Sequence, residues 1–240
     1  MSQSSALIRK LRTTTDLDDD DIAAIERLPM VPRDIPAQEA IVREGDRPGQ
    51  SCLLVEGFAC RSKTADQGRR QILSIHIAGD IPDLQSLHLK VMDHDVTTLC
   101  RCKVAFIPHD ALRSLCRERP AVAEALWRET LVDAAVFREW IVNVGRRPAP
   151  QRLAHLISEL RERLRLVGLS TDDEFQLPMT QLDLADALGL TPVHVNRVLQ
   201  VLRKDGLLEF RRQVVSLSDA DRLMRLGDFD SLYLHQNPAT

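Results

Sequence analysis

The chain has no apolar run near the ~18 residues that a membrane-crossing helix requires. Its N-terminal stretch, MSQSSALIRKLRTTTDLDDDD, lacks an apolar core and a small-residue cleavage site. These two absences predict a soluble, cytoplasmic protein. A surplus of positive charge is also missing. The 32 basic residues face 35 acidic ones, for a formal net charge of −3. Any polyanion must therefore be held by a local cluster and not by bulk charge. The five cysteines are Cys52, Cys60, Cys100, Cys102 and Cys116. An odd number without a secretory leader argues against a disulfide framework. Cys100-Arg-Cys102 is not a CxxC motif, and on a strand its two side chains would share one face. The expectation is buried, reduced thiols. A metal or redox site would need His76, His88, His94 or His109 to converge on them. Nucleophile elbow, P-loop and HExxH are all absent. No catalytic residue and no metal site are expected, and the chain does not read as an enzyme. It contains no internal repeat.

What is present divides by texture. At 240 residues and 44% hydrophobic, the chain can bury the core of one large domain or two ordinary ones. Asp18 to Leu28 reads as a short helix with an acidic cap. From Pro32 to about Pro108, short apolar runs alternate with turn signals. The runs are AIV (40–42), CLLV (52–55), ILSIHI (72–77) and VAFI (104–107), and this spacing predicts an antiparallel sandwich or barrel. From Pro120 the period becomes helical. Leu126, Thr130, Ala134, Phe137, Ile141 and Val144 recur at steps of three and four, a coiled-coil-like stripe that predicts a helix paired with its twin. Gly145-Arg-Arg-Pro-Ala-Pro150 ends it and forms a stiff joint. A second amphipathic helix follows, with Leu153, Leu156, Ile157, Leu160 and Leu164 on one face. Phe175–Leu177 predicts a short strand, and residues 206–217 two strands around a tight turn. Asp219–Leu226 predicts a closing helix.

Between these elements lies LADALGLTPVHVNRVLQVLRKDGLLEF. Counted from Gln181, Ala185 is fifth and Gly189 ninth, while Leu184, Leu188, Leu190, Val195 and Val198 take the apolar positions. A helix-turn-helix needs a small residue where its helices cross and a glycine where the turn requires positive φ. Thr191 is placed to cap the second helix and Pro192 to begin it. The second helix then presents Val193, Asn196, Arg197 and Gln200 to a major groove. Arg197 suits a bidentate contact to guanine. Asn196 and Gln200 suit adenine, and Val193 a thymine methyl. Thr180 and Gln181 are candidates for phosphate contacts. Arg203, Lys204, Arg211 and Arg212 add positive charge. From Arg197 to Arg212, five basic residues stand against Asp205 and Glu209, a local sum of +3 in an acidic chain.

This stretch resembles the DNA-binding signature of the CRP/FNR superfamily of bacterial transcription regulators. The upstream half is similar too, in VREGD (42–46), LLVEG (53–57), RRQIL (69–73) and AGDIP (78–82). The resemblance covers roughly residues 20 to 225 and leaves the last stretch, LGDFDSLYLHQNPAT, unaccounted for. It implies an α+β chain in three parts. Residues 1–119 would form an N-terminal helix and a jelly-roll-like antiparallel β-roll that senses an effector. Residues 120–146 would form the dimerisation helix, with Leu126, Thr130, Ala134, Phe137, Ile141 and Val144 in the seam. Residues 147–240 would form a winged helix-turn-helix. The implied function is sequence-specific transcription regulation by a homodimer on near-palindromic double-stranded DNA, with RNA polymerase as a partner if it activates. The sensor's state would move the DNA-binding domains about the 145–150 joint.

Two departures qualify the transfer. Cyclic-nucleotide-binding members share a phosphate cassette with a Gly-Glu pair and, about ten residues on, an Arg followed by Ser or Thr. Here Pro82, Asp83, Leu84 and Gln85 stand at the first place and Asp93, His94, Asp95 and Thr97 at the second. These residues are the candidate effector pocket, but carboxylates there would repel a phosphate, and Lys90 is a poor substitute for an arginine fork. A cyclic nucleotide is disfavoured. An iron–sulfur cluster is disfavoured because the first cysteine is Cys52, and no haem-ligand motif is evident. The effector and any cofactor stay unassigned. In the reader helix, Pro192 and Val193 stand where the family commonly has Arg and Glu. The rival reading is a ligand-binding signalling module whose winged helix contacts protein; salt-sensitive DNA binding separates the two.

Overall fold

A computed structural model describes residues 4–171 and 173–236. They divide into two compact units. The first holds the chain through Lys63 and again Leu73–Ala134, and the second holds Thr64–Ile72 and Ala135–His235.

In the first unit, helix α1 (Ser5–Arg12) buries Leu7, Ile8 and Leu11 along one side, as an amphipathic helix must. Helix α2 (Asp19–Glu26) opens with a reciprocal capping box between Asp18 and Asp21. Arg119 then closes on both acids, Nε to Asp21 at 2.7 Å and Nη2 to Asp18 at 2.8 Å. The strands are β1 (Val31–Ile35), β2 (Ala40–Val42), β3 (Gln50–Glu56), β4 (Ala59–Ala65), β5 (Arg69–His76), β6 (Asp95–Thr98) and β7 (Cys102–Pro108). They form a three-stranded sheet in the order β1-β7-β3 and a four-stranded sheet in the order β2-β6-β4-β5. Pro32 is tolerated in β1 because that strand is an edge.

Strands β3 and β7 send alternate side chains to two different cores. Cys52, Leu54, Cys102 and Val104 join Ala59 in one cluster. Leu53, Ala105 and Ile107 pack instead with α1, with α3 (His109–Glu118) and with the start of α4 (Pro120–Arg146). A strand buried on both faces reads as an unbroken apolar run, which is why CLLV and VAFI show no alternation. The expected antiparallel β-fold is present, and α1, β1, β4, β6 and α3 add elements that sequence patterning did not specify.

In the second unit, α5 (Ala149–Leu166) follows α4 after two residues, with Pro148 as its N-cap and Pro150 in its first turn. Residues Leu153 to Leu160 are all buried, more than the single apolar face that periodicity predicts. The extra cover comes from the C-terminal segment after α8 (Ala220–Leu226). The imidazole of His155 stacks on Tyr233 at 5.9 Å and meets Phe229 edge-on at 5.4 Å. The Tyr233 hydroxyl and the Trp140 indole donate to Glu159 Oε2 at 2.8 and 2.9 Å. Arg163 donates to the other oxygen at 3.2 Å, so this fully buried carboxylate is well supplied. The described part of the otherwise unexplained tail thus closes one side of the second core. Strand β8 (Glu174–Gln176) joins β9 (Leu208–Arg211) and β10 (Val214–Leu217) in the order β8-β10-β9. No helix among the described residues is long and apolar enough to cross a membrane.

Candidate nucleic-acid interface and sensor interior

Helix α6 (Gln181–Leu188) is fixed at both ends. Thr180 accepts from the Asp183 N–H at 3.1 Å, and Asp183 accepts from the Thr180 N–H at 2.9 Å. The far end stops at Gly189, with φ 63° and ψ 40°, a left-handed conformation that costs other residues roughly 1–2 kcal/mol. Two residues later α7 (Pro192–Lys204) begins. The Thr191 hydroxyl accepts from the His194 N–H at 3.2 Å, and Pro192 fills the first helical position. Val195, Val198 and Leu202 are buried on its inner side, while Leu184, Ala185 and Leu188 are buried on α6. Burying each large aliphatic side chain contributes roughly 1.5–3 kcal/mol, enough to hold α7 in one rotation about its axis.

That rotation leaves the other face in solvent. Val193 is 62% exposed, and Arg197 and Gln200 are exposed beside a half-buried Asn196. Gln200 Nε2 donates to Asn196 Oδ1 at 2.9 Å, and Asn196 Nδ2 approaches Gln181 Oε1 at 3.4 Å. Four predicted readers therefore share one surface. In the wing, Arg212 and Gln213 have φ of 51° and 64° and connect paired Arg211 and Val214. Both central residues lie in the positive-φ region that a two-residue hairpin demands, and the turn carries Arg211 and Arg212 at its tip. Glu209 moderates the local charge, taking Arg203 at 3.0 Å and Arg211 at 3.2 Å. Lys204 is exposed at the end of α7.

Thr180 is placed differently from its expected role. Its hydroxyl also donates to Asp183 Oδ2 at 2.6 Å, so a phosphate would reach this hydroxyl only by opening the cap. Sequence reading also missed Arg152. It donates from Nη1 to Leu188 O at 2.9 Å and from Nε to Arg147 O at 2.7 Å. One guanidinium thereby serves carbonyls at the end of α6 and just after α4, groups that helix ends leave open. Arg70, from the 64–72 segment of the same unit, takes Asp183 at 2.5 Å and Asp186 at 2.7 Å. It screens the acids of α6 that would otherwise oppose a phosphate backbone.

The candidate effector residues meet only in part. Asp83 is fully buried, with Oδ1 accepting from the Cys52 N–H at 2.8 Å; burial pushes its pKa up to about 7. Pro82 O accepts from Arg61 Nε at 2.6 Å. Gln85 Nε2 and His94 Nε2 lie 3.2 Å apart, and Asp93 Oδ1 is 2.8 Å from the other ring nitrogen. Burial and the Arg61 charge lower the His94 pKa. Asp95 and Thr97 serve the sheet instead. Asp95 accepts from the Glu44 N–H at 2.8 Å, and Thr97 pairs with Cys60.

Patterning also missed the charged interior beside these residues. Lys10 Nζ pairs with Asp80 at 2.7 Å and with Glu129. Arg61 pairs with Asp133 at 2.8 Å. His76 Nδ1 lies 3.2 Å from Asp80 and Nε2 lies 2.9 Å from Ser74 Oγ; burial, then Arg61, lower its pKa to about 4. Leu84, Leu126 and Thr130 help to enclose a cavity of about 20 Å³ among these groups. That is room for roughly one water, against the 300 Å³ or more of ordinary ligand pockets. A nucleotide would have to displace the ion pairs. Among the described residues, no three His, Cys, Asp or Glu side chains are grouped to hold a metal ion.

Leu126, counted in the expected dimer seam, is only 6% exposed and packs inward. The exposed apolar residues of α4 are Trp127, Leu131, Ile141 and Val142. Thr130, Ala134, Phe137 and Val144 are half-buried.

A glycine-set helix pair, an exposed reader face on the second helix and a basic-tipped wing define a winged helix-turn-helix, a class that reads duplex DNA. Comparison with known proteins gives the same result. Residues 151–226 match the Crp-like helix-turn-helix domain, and residues 32–119 match the cyclic nucleotide-binding domain. The chain is 30% identical to Electron transport regulator A of Shewanella oneidensis, over 79% of this chain and 75% of that one. It is 27% identical to the transcriptional activator FnrL of Cereibacter sphaeroides, over 88% and 86%. The solved structure of FixK2 from Bradyrhizobium japonicum superposes with a TM-score of 0.75 at 26% identity, over 83% of this chain and 98% of that one. The chain belongs to the CRP/FNR superfamily of bacterial transcription regulators. It is a DNA-binding transcription regulator.

Proposed function

We propose that the protein works in the cytoplasm as a homodimer, with two copies of α7 reading the halves of a near-palindromic site about one helical turn apart. The observation that carries this reading is the exposure of Val193, Arg197 and Gln200, with a half-buried Asn196 on the same face, over a buried Val195, Val198 and Leu202. Arg197 contacts guanine, Asn196 and Gln200 contact adenine, and Val193 a thymine methyl. Thr191, at the start of α7, and Gln181 lie beside this face. Arg203, Lys204, Arg211 and Arg212 hold phosphates, and Glu209 must yield Arg203 and Arg211 for this.

The dimer seam runs along α4 through Trp127, Leu131, Ala134 and Ile141, close to the predicted stripe and displaced by about one residue at its N-terminal end. The functional divisions are 1–119, 120–146 and 147–240. The roll around Pro82, Asp83, Leu84, Gln85 and His94 receives a signal, and the 145–150 joint transmits it. The ion pairs that fill the interior disfavour a cyclic nucleotide as the signal. As an activator, the protein would contact RNA polymerase. The direct test is fluorescence anisotropy with labelled duplexes over a range of salt. The affinity falls steeply with added salt as counterions return to the DNA; a salt-independent or absent interaction at low salt removes the proposal.

A further inference from the structure

The cysteines play no part in DNA reading, yet two of them form an organised pair. Cys100 lies in the turn before β7, and Cys102 is the first residue of that strand. The Phe58 N–H donates to Cys100 Sγ at 3.3 Å. Cys102 Sγ–H is shared between Phe58 O at 3.2 Å and Cys100 O at 3.3 Å. The space is reserved for them. Gly57 has φ 96°, and a Cβ there would lie 2.7 Å from Cys102 Sγ. Cys100 is half-buried whereas Cys102 is buried, so one sulfur is reachable from solvent and the other stands behind it.

We propose that Cys100 and Cys102 are a peroxide-reactive thiol pair, Cys100 being the attacking sulfur and Cys102 the resolving one. A thiolate is the nucleophile in such chemistry, and donors and nearby cations stabilise it. The neighbouring Cys102 thiol and the donating Phe58 N–H, against burial, lower the Cys100 pKa to about 7, while the same pairing and burial push the Cys102 thiol up. Cys116 provides an internal contrast. It is also half-buried, but burial pushes its thiol up. In the first step, the Cys100 thiolate attacks one oxygen of hydrogen peroxide or an organic hydroperoxide. The O–O bond breaks, and the leaving oxygen takes up a proton as water or alcohol. The attacked oxygen stays on sulfur as a sulfenic acid. Cys102 then attacks that sulfur. The S–O bond breaks, and hydroxide leaves with the Cys102 proton as water. Two thiols have lost two electrons and two protons, and one peroxide has been reduced.

The test is a short hydrogen peroxide pulse on the reduced full chain, followed by thiol alkylation and mass spectrometry. Cys100 and Cys102 should lose alkylation together, about tenfold faster than Cys116, and regain it with dithiothreitol. In Cys102→Ser, a cyclic diketone probe should capture a sulfenic acid at Cys100. Because Cys102 is buried and that variant is at risk of misfolding, Cys100→Ser is the second arm; there Cys102 should stay alkylatable after the pulse. The proposal is overturned if Cys116 oxidises as fast as Cys100, if Cys100 oxidises while Cys102 stays free, or if Cys102 oxidises in Cys100→Ser.

Discussion

At the scale of single residues, Arg197 is the most exposed commitment. Its side chain stands in solvent on α7, where a guanidinium fork matches the two acceptors of guanine. Arg197→Ala should cost about 1–3 kcal/mol of specific binding while leaving the melting temperature unchanged. Lys204→Ala, at a proposed phosphate contact, should weaken binding evenly across sequences and reduce the salt slope by about one. Anisotropy titrations against specific and scrambled duplexes check both.

Two buried groups in the first unit set opposing pH dependences. Asp83 has its folded pKa raised by burial to about 7, while an unfolded aspartate ionises near about 4. Its contribution is present below that value and is lost as pH rises toward 7. His76 has its folded pKa lowered by burial to about 4, against about 6.5 unfolded. Its contribution is present above 6.5 and is lost as pH falls toward 4. Across the shared window the two slopes cancel. Asp83→Asn removes one of them and keeps an acceptor for the Cys52 N–H. Urea unfolding of that variant should show stability falling from pH 6.5 to pH 4. A profile that stays level in the variant would show that His76 does not charge on unfolding.

At the scale of elements, Gly189 decides how α6 gives way to α7. An added Cβ meets only Arg152 Nη1 at 3.6 Å, so space is not the constraint; the positive φ is. Gly189→Ala should lose roughly 1 kcal/mol of stability and weaken DNA binding by tilting α7, as thermal unfolding and anisotropy would record. This turn was legible in the sequence because each rule acts within a few residues: a small residue at the crossing, glycine in the turn, threonine and proline at the restart. The shared face of Val193, Asn196, Arg197 and Gln200 was legible for the same reason, since one helical face follows from spacing. The charged interior of the first unit was not. Lys10, Arg61 and Asp80 come from separate segments and meet Glu129 and Asp133 of α4, and no local period marks a charge that is buried only because its partner arrives from elsewhere. The same limit hid Glu159, whose donors Trp140 and Tyr233 lie on other segments. It also placed Leu126 in the seam, where a heptad count cannot tell a residue facing the roll from its exposed neighbour.

At the scale of the whole molecule, the account requires two chains. Ile141 is 69% exposed on α4, and single exposed aliphatic residues are ordinary; a spaced set with Trp127 and Leu131 is what a helix seam supplies. Ile141→Asp would bury a charge in that seam and should raise the dimer dissociation constant at least about tenfold, read by sedimentation at low concentration. An unchanged dimer would move the seam elsewhere. The most direct measurement of the central claim is selection of bound duplexes from random DNA by the purified full chain. The prediction is an enriched site with two inverted half-sites whose centres lie about one helical turn apart, lost in the Arg197→Ala variant at the guanine position. Enrichment of single, unpaired half-sites, or none at all, would contradict it.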